Sequence, residues 1–247
     1  MSSTTSAPDE TRPPRGEGEP RGWPSSRQPP LLELSGLYHR WKRQPKPVLD
    51  DVSLALAPTT VTWIGGRNGV GKTTLLRLAA GILRPQRGSV RIGELTPDSR
   101  GGVYQRQIGF LSAGDRGLQA RLQVRQQLDY WARLAYVPRE RRAELVERTV
   151  DHFELQELAE RRVDRMSMGQ RQRLRIAMAF LHEPRVLLLD EPRNSLDEDG
   201  YALLANQIER IRREGAAVLW CSPRGEGRVI ACDASYSLQD GRLERTE

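Results

Sequence analysis

From residue 31 onward, apolar side chains cluster into short runs bounded by Gly and Pro, and three of these, at 61–64, 186–189 and 216–221, contain almost no polar position. An unbroken apolar run of strand length predicts a strand covered on both faces, which is the environment of a parallel sheet. Between about residues 115 and 165 the pattern becomes helical and charge-mixed. Leu122, Leu128, Trp131, Leu134, Leu145, Val150 and Phe153 fall where a helix buries one face, predicting a helical subdomain inserted into the sheet-forming part. Near the end, 236–243 is broken by Asp240-Gly241, a dipeptide suited to a tight hairpin turn. Residues 1–30 read differently: they hold seven of the sixteen prolines and only Met1, Ala7 and Trp23 as apolar side chains. So little burial cannot offset the entropy of ordering, and a disordered tail is expected there, with one folded unit over 31–247.

Composition narrows the classes. The 247 residues are 37% hydrophobic and 29% charged, enough for a buried core. No apolar run exceeds six residues, such as 176–181, so no membrane span and no signal-peptide core is expected. Cys221 and Cys232 form neither a disulfide framework nor a metal-ligand spacing, which favours a reducing cytosol. The 39 Lys and Arg against 32 Asp and Glu leave +7, compatible with nucleic acid, anionic lipid or a phosphate-rich ligand. The four arginines and four carboxylates of the tail cancel, so the excess belongs to the folded part.

The chemistry begins directly after the first apolar run. Gly66-Arg67-Asn68-Gly69-Val70-Gly71-Lys72-Thr73-Thr74 leads into the helix formers of 75–80. Glycines at such points let successive backbone N–H groups converge on a phosphate, and the helix N-terminus adds its positive end. Lys72 would reach the outer phosphates and Thr73 would ligate magnesium. A glycine turn with a surface lysine is the bland alternative, and the strand before and helix after the loop speak against it. The second apolar run then delivers Asp190-Glu191-Pro192 at its carboxyl end, where open parallel sheets bind ligands. Asp190 is placed to hold magnesium through water, and Glu191 to take a proton from the water attacking the terminal phosphate.

With these motifs in order, residues 31–247 resemble the ATP-binding subunits of ABC transporters. Met166-Ser167-Met168-Gly169-Gln170 stands where that family carries Leu-Ser-Gly-Gly-Gln, with Met168 in place of a glycine, and a helix is expected over 171–181. Ser167 with Gln170 three residues on also reads as a capping box. The resemblance implies an α/β fold: a P-loop NTPase core with a mostly parallel sheet, a small antiparallel part and the inserted helical subdomain. It implies ATP and Mg2+ as cofactors, and a dimer in which Ser167, Gly169 and Gln170 meet the nucleotide of the other subunit. The partner would be a second copy or another ABC ATPase. Trp41, seven residues before Val48, matches the family's adenine-stacking aromatic, with Tyr38 as runner-up. Asn194-Ser195-Leu196-Asp197 matches the loop that couples the two sites, although Asp197 equally suits a plain N-cap for a helix through Ala202.

Two positions depart from the pattern. The histidine usual after the last core strand is replaced by Pro223, and His39, His152 and His182 all precede Asp190. The glutamine usual after Ile108-Gly109-Phe110-Leu111-Ser112 is Ala113; Gln105, Gln107, Gln119 and Asp115 lie near, none in register. An oriented donor of this kind is worth roughly a few kcal/mol in a transition state, so slow hydrolysis is expected, with Glu191 as the retained base.

The functional expectation is therefore an ATPase that energises separate integral membrane subunits, held at the inner face of the cell membrane. Export is favoured because no regulatory domain follows the hairpin. The region of 118–134 would receive a helix of the membrane partner, and Arg116, Arg121, Arg125 and Arg133 face either that partner, lipid head groups or plain solvent. A soluble ABC protein acting on nucleic acid or the ribosome is the alternative. Such proteins carry two ATPase halves or long coiled coils, and no nucleic acid is expected here. A kinase or GTPase sharing the phosphate loop leaves Ser167 to Gln170 and Asp190-Glu191 unexplained.

Overall fold

The computed structural model describes residues 29–114, 117–223 and 230–246; the tail expected at 1–30 falls almost wholly outside them. The chain opens with β1 (Leu32–His39) and β2 (Leu49–Leu56), an antiparallel pair with Leu32 opposite Leu56 and His39 opposite Leu49. After β3 (Val61–Gly65) and α1 (Lys72–Ala79), β4 (Arg87–Arg91) returns to β1, making a three-stranded sheet in the order β2-β1-β4. Next come β5 (Ile108–Leu111), the helices α2 (Val124–Leu134), α3 (Arg139–His152) and α4 (Met168–Phe180), then β6 (Val186–Asp190), α5 (Glu198–Arg213) and β7 (Ala217–Ser222). The hairpin β8 (Ala234–Gln239) and β9 (Arg242–Arg245) closes the described chain.

The second sheet runs β5-β6-β7-β3-β8-β9, parallel except for the antiparallel β9. Its central strands explain the unbroken apolar runs. Successive side chains on a strand point to opposite faces, and here both faces are buried. Val61, Trp63, Leu187, Leu189, Val218 and Trp220 enter one core with the helices α2 to α5. Ile64, Val186, Leu188, Ala217, Leu219 and Cys221 enter the other, with α1 and the small antiparallel sheet. A polar side chain anywhere in these strands would lose its water, so the alternation that marks a half-exposed strand is missing.

The helices of 124–165 carry their own signals. Gln123 and Gln126 exchange side-chain and backbone bonds at the start of α2. Leu128, Leu145, Val150 and Phe153 are buried, and Phe153 meets the ring of Phe180 edge-on at 5.3 Å, tying α3 to α4. Leu134 does not follow the expected pattern: it is 51% exposed, and Trp131 and Leu122 are half-buried. Trp131 and Leu134 instead line an open groove of about 410 Å3 with Phe110, Ile82 and His182. The helix expected over 171–181 starts three residues earlier, at Met168, where the Ser167 cap sets its beginning.

Candidate active site

Gly65 ends β3, and the following loop turns into α1, which has no acidic residue in its first turn to compete for an anion. Gly66, Asn68 and Gly69 lie along this loop, with Asn68 and Gly69 exposed. Gly71 is required by two independent facts: its φ is +120°, and a Cβ there would stand 2.8 Å from the carbonyl oxygen of Val48. The Lys72 ammonium, nearly buried, donates across the loop to the carbonyls of Gly66 at 2.8 Å and Arg67 at 3.1 Å. It is thus held inside the curve of backbone that a phosphate would occupy. Thr74 is buried in the first turn of α1.

Two strands away, Asp190 ends β6. The Thr73 hydroxyl donates to Asp190 Oδ2 at 2.7 Å, so the loop and the acidic strand end meet directly. Asp190 Oδ1 is buried without a hydrogen-bond partner. Burial pushes the Asp190 carboxyl above its ordinary value; the Thr73 hydroxyl and the Ala113 amide pull it down by hydrogen bonding. Such an environment favours a bound cation: a hard oxygen pair from a carboxylate and a hydroxyl suits Mg2+, which keeps its other positions for water and phosphate. Thr73 and Asp190 fit that ion, which when bound would neutralise charge on the transferring phosphoryl group.

Glu191 sits at φ +50° and Ser195 at +65°, left-handed conformations that non-glycine residues adopt only under constraint. The constraint is visible: the Glu191 amide donates to the Cys221 carbonyl on β7 at 2.8 Å, and the Asn194 side chain donates to Glu191 Oε2 at 2.9 Å. The carboxylate is therefore tied to Asn194, three residues on in the same loop.

Ser167 accepts the Gln170 amide at 3.2 Å while Gln170 Oε1 accepts the Ser167 amide at 3.0 Å. Gly169 lets the loop after Glu191 come close: a Cβ there would lie 3.2 Å from the Ser195 carbonyl. Ser167, Gly169, Gln170, Arg173 and Asp197 share an opening of about 530 Å3, none of whose lining residues belongs to the phosphate loop. Within one chain the signature opening is thus not lined by the phosphate loop. Asp197 caps α5, accepting the Gly200 amide at 2.8 Å, and the helix runs on to Arg213.

Trp41 is 37% exposed and packs its edge on His39 at 4.6 Å. Val48 donates to the His39 carbonyl while its own carbonyl faces Gly71, so the turn bearing Trp41 lies beside the phosphate loop. Tyr38 is engaged elsewhere, with the Arg87 guanidinium 4.0 Å above its ring. Among the glutamines near Ala113, Gln105 and Gln107 donate to the carbonyls of Pro97 and Val103, and Gln119 stands against Gln127 through its backbone; none joins Asp190. Asp115 and Arg116 lie outside the described residues. Arg125 pairs with Glu147 and Glu160, and Arg133 with Asp129, so these two are ion-paired on the helix surface.

Two features escaped the sequence. Trp63 Nε1 donates to Ser222 Oγ at 2.8 Å, anchoring the strand end just before Pro223. Gln172 Nε2 donates to the Pro192 carbonyl at 3.0 Å from the buried face of α4, a contact between segments twenty residues apart that periodicity cannot announce.

The family model for the ABC transporter matches residues 49–194. The chain is 30% identical over 215 residues to the ABC transporter ATP-binding protein NatA of Bacillus subtilis, covering 86% of this chain and 87% of that one. It is 34% identical over 192 residues to the cytochrome c biogenesis ATP-binding export protein CcmA of Sphingopyxis alaskensis, 78% of this chain and 89% of the relative. It is also 33% identical over 220 residues to the methionine import ATP-binding protein MetN 2 of Burkholderia pseudomallei, 87% of this chain but 55% of the relative. A solved dimeric ATP-binding cassette in a post-hydrolysis state, bound to ADP and Pi, shares the fold with a TM-score of 0.78 at 23% identity, over 88% of this chain and 98% of that one.

Proposed function

The chain belongs to the ABC transporter ATP-binding family and is an ATPase of that fold, and from this premise we propose that it energises a transporter whose membrane-spanning subunits are separate chains. The observation that carries the reading is the direct bond between Thr73 and Asp190, which joins the phosphate loop to the strand end bearing Glu191. In the proposed mechanism the backbone of 66–71 and Lys72 hold the phosphates, with Trp41 against the adenine. Thr73 and Asp190 would hold Mg2+, and Glu191, braced by Asn194, would take the proton of the attacking water. Ser167, Gly169 and Gln170 would complete the site of a partner ATPase, either a second copy or a different subunit, with Asp197 at the junction. That the signature opening contains no phosphate-loop residue supports this arrangement.

Pro223 and Ala113 supply no side-chain donor, so turnover is slow and Glu191 carries the proton transfer without a histidine beside it. The groove between α2 and β5, apolar and open, is the surface we assign to the membrane partner, and through it the protein sits at the inner face of the membrane. No helix among the described residues is long and apolar enough to cross a membrane. Relatives bear both import and export names; we propose export, supported by the match to most of the length of the export relative CcmA.

Copurification from membranes in mild detergent tests the reading. A stoichiometric polytopic partner is expected, alone with a homodimer or together with a second ATP-binding subunit that would complete an asymmetric pair. Recovery of the chain alone, or on nucleic acid with salt-sensitive affinity, would overturn it.

A further inference from the structure

α4 begins at the signature and passes under both the groove and the end of β6, and two of its buried side chains form a chain of bonds between them. Arg175, 5% exposed, donates through Nη1 to Gln172 Oε1 at 2.6 Å and through Nη2 to the Ser112 carbonyl. Gln172, 6% exposed, donates through its amide to the Pro192 carbonyl at 3.0 Å. Ser112 directly follows β5, whose Leu111 pairs with Leu189 one residue before Asp190, and Pro192 is preceded by Glu191. Arg175 and Ser112 also line the groove.

We propose that Arg175 and Gln172 are positioning residues for hydrolysis, which hold the Ser112–Ala113 and Glu191–Pro192 backbones at a set distance across α4. The physical basis is the guanidinium fork. It cannot lose its charge, and its planar donors fix the oxygens they reach in both distance and direction. The Gln172 amide then passes that placement on, since its carbonyl is committed to Arg175 and its NH2 to Pro192. Where position 113 offers no side chain to Mg2+ or water, the backbone at 112–113 is what remains to be placed, and Arg175 places it. The relay rests on the reading of Asp190 and Glu191 given above.

Its test is a kinetic cycle on the full chain, using Mg-ATP as the probe, with the variants R175M, Q172M and R175M/Q172M. Methionine keeps the buried volume near that of the side chains removed. Each single variant is expected to lower kcat between about tenfold and a hundredfold, as slight misplacement does, with KM for ATP within about twofold. The double variant should be no slower than the worse single one, because both cut the same chain. R175K, a cation without the fork, should restore only part of the rate. Additive losses, an effect confined to KM, or a lowered melting midpoint with kcat unchanged would overturn the relay. If R175M fails to fold, Q172M alone decides between unchanged and reduced kcat. Wild-type protein without turnover would overturn the hydrolytic reading itself, whereas wild-type turnover unchanged in the variants overturns the relay alone.

Discussion

Asp190 is the residue on which burial and chemistry conflict most plainly. Its carboxyl is pushed upward by burial, and one of its oxygens is buried without a partner. A carboxyl whose folded-state value is raised binds its proton more tightly folded than unfolded. Its contribution favours folding below the unfolded value and is lost as pH rises through the folded one. Asp190→Asn should therefore raise the melting midpoint of the nucleotide-free protein at neutral pH and leave it unchanged below about pH 4, where the wild-type carboxyl is also neutral. Because the same change removes the anionic ligand proposed for Mg2+, ATP turnover should fall at least about a hundredfold. Thermal melts at the two pH values and a phosphate-release assay check both halves; a lower midpoint at neutral pH would contradict the account. The identities of Lys72, Thr73, Asp190 and Glu191 were legible in the sequence because each is a residue type in a fixed local context. The Thr73–Asp190 bond, which spans 117 positions, was not.

At the scale of the element, one terminus of α4 carries an observed cap and a proposed contact. Its capping box satisfies backbone donors that would otherwise be left open, and the same end would face a nucleotide. The two separate by substitution. Ser167→Ala loses the cap and should cost about 1 kcal/mol, read as a lower denaturant midpoint with unchanged m-value. Ser167→Asp keeps a good cap, so stability should remain within about 0.5 kcal/mol of wild type, but it sets a negative charge where the phosphate would arrive, and turnover should fall below that of Ser167→Ala. Equal turnover in the two variants would mean that the helix end meets no anion. The cap was readable from Ser167 and Gln170 alone, since it is local. The exposure of Leu134 was not: it has the spacing of a core residue and is 51% exposed, because whether an apolar face is covered depends on what packs against it.

For the whole molecule, the signature opening has no phosphate-loop residue in its lining, and in the proposed arrangement each of the two is completed by a second ATPase subunit. With Glu191→Gln, Mg-ATP should bind with affinity within about twofold of wild type while turnover drops about a hundredfold or more. If the partner is a second copy, an ATP-dependent dimer should accumulate in light scattering and disperse when nucleotide is removed. Adding Ser167→Asp to this variant should prevent the dimer. A Glu191→Gln protein that hydrolyses at the wild-type rate would remove Glu191 from the mechanism, and one that binds ATP yet stays monomeric would point to a different subunit as the partner.

The sequence alone determined the parallel core, the phosphate loop, the acidic strand end, the capped helix and the closing hairpin. Each of these is a local matter: a run of apolar residues too long for a half-exposed strand, glycines at fixed intervals, a carboxylate at a strand end, a serine three residues before a glutamine. The tertiary structure decided what lies between them. It set the six-strand order that brings Thr73 to Asp190 and the split of alternate side chains between two cores. It also set the buried line from Ser112 through Arg175 and Gln172 to Pro192. These depend on the packing of distant segments, and a backbone amide or carbonyl is the same at every position, so no pattern of side chains could have declared them.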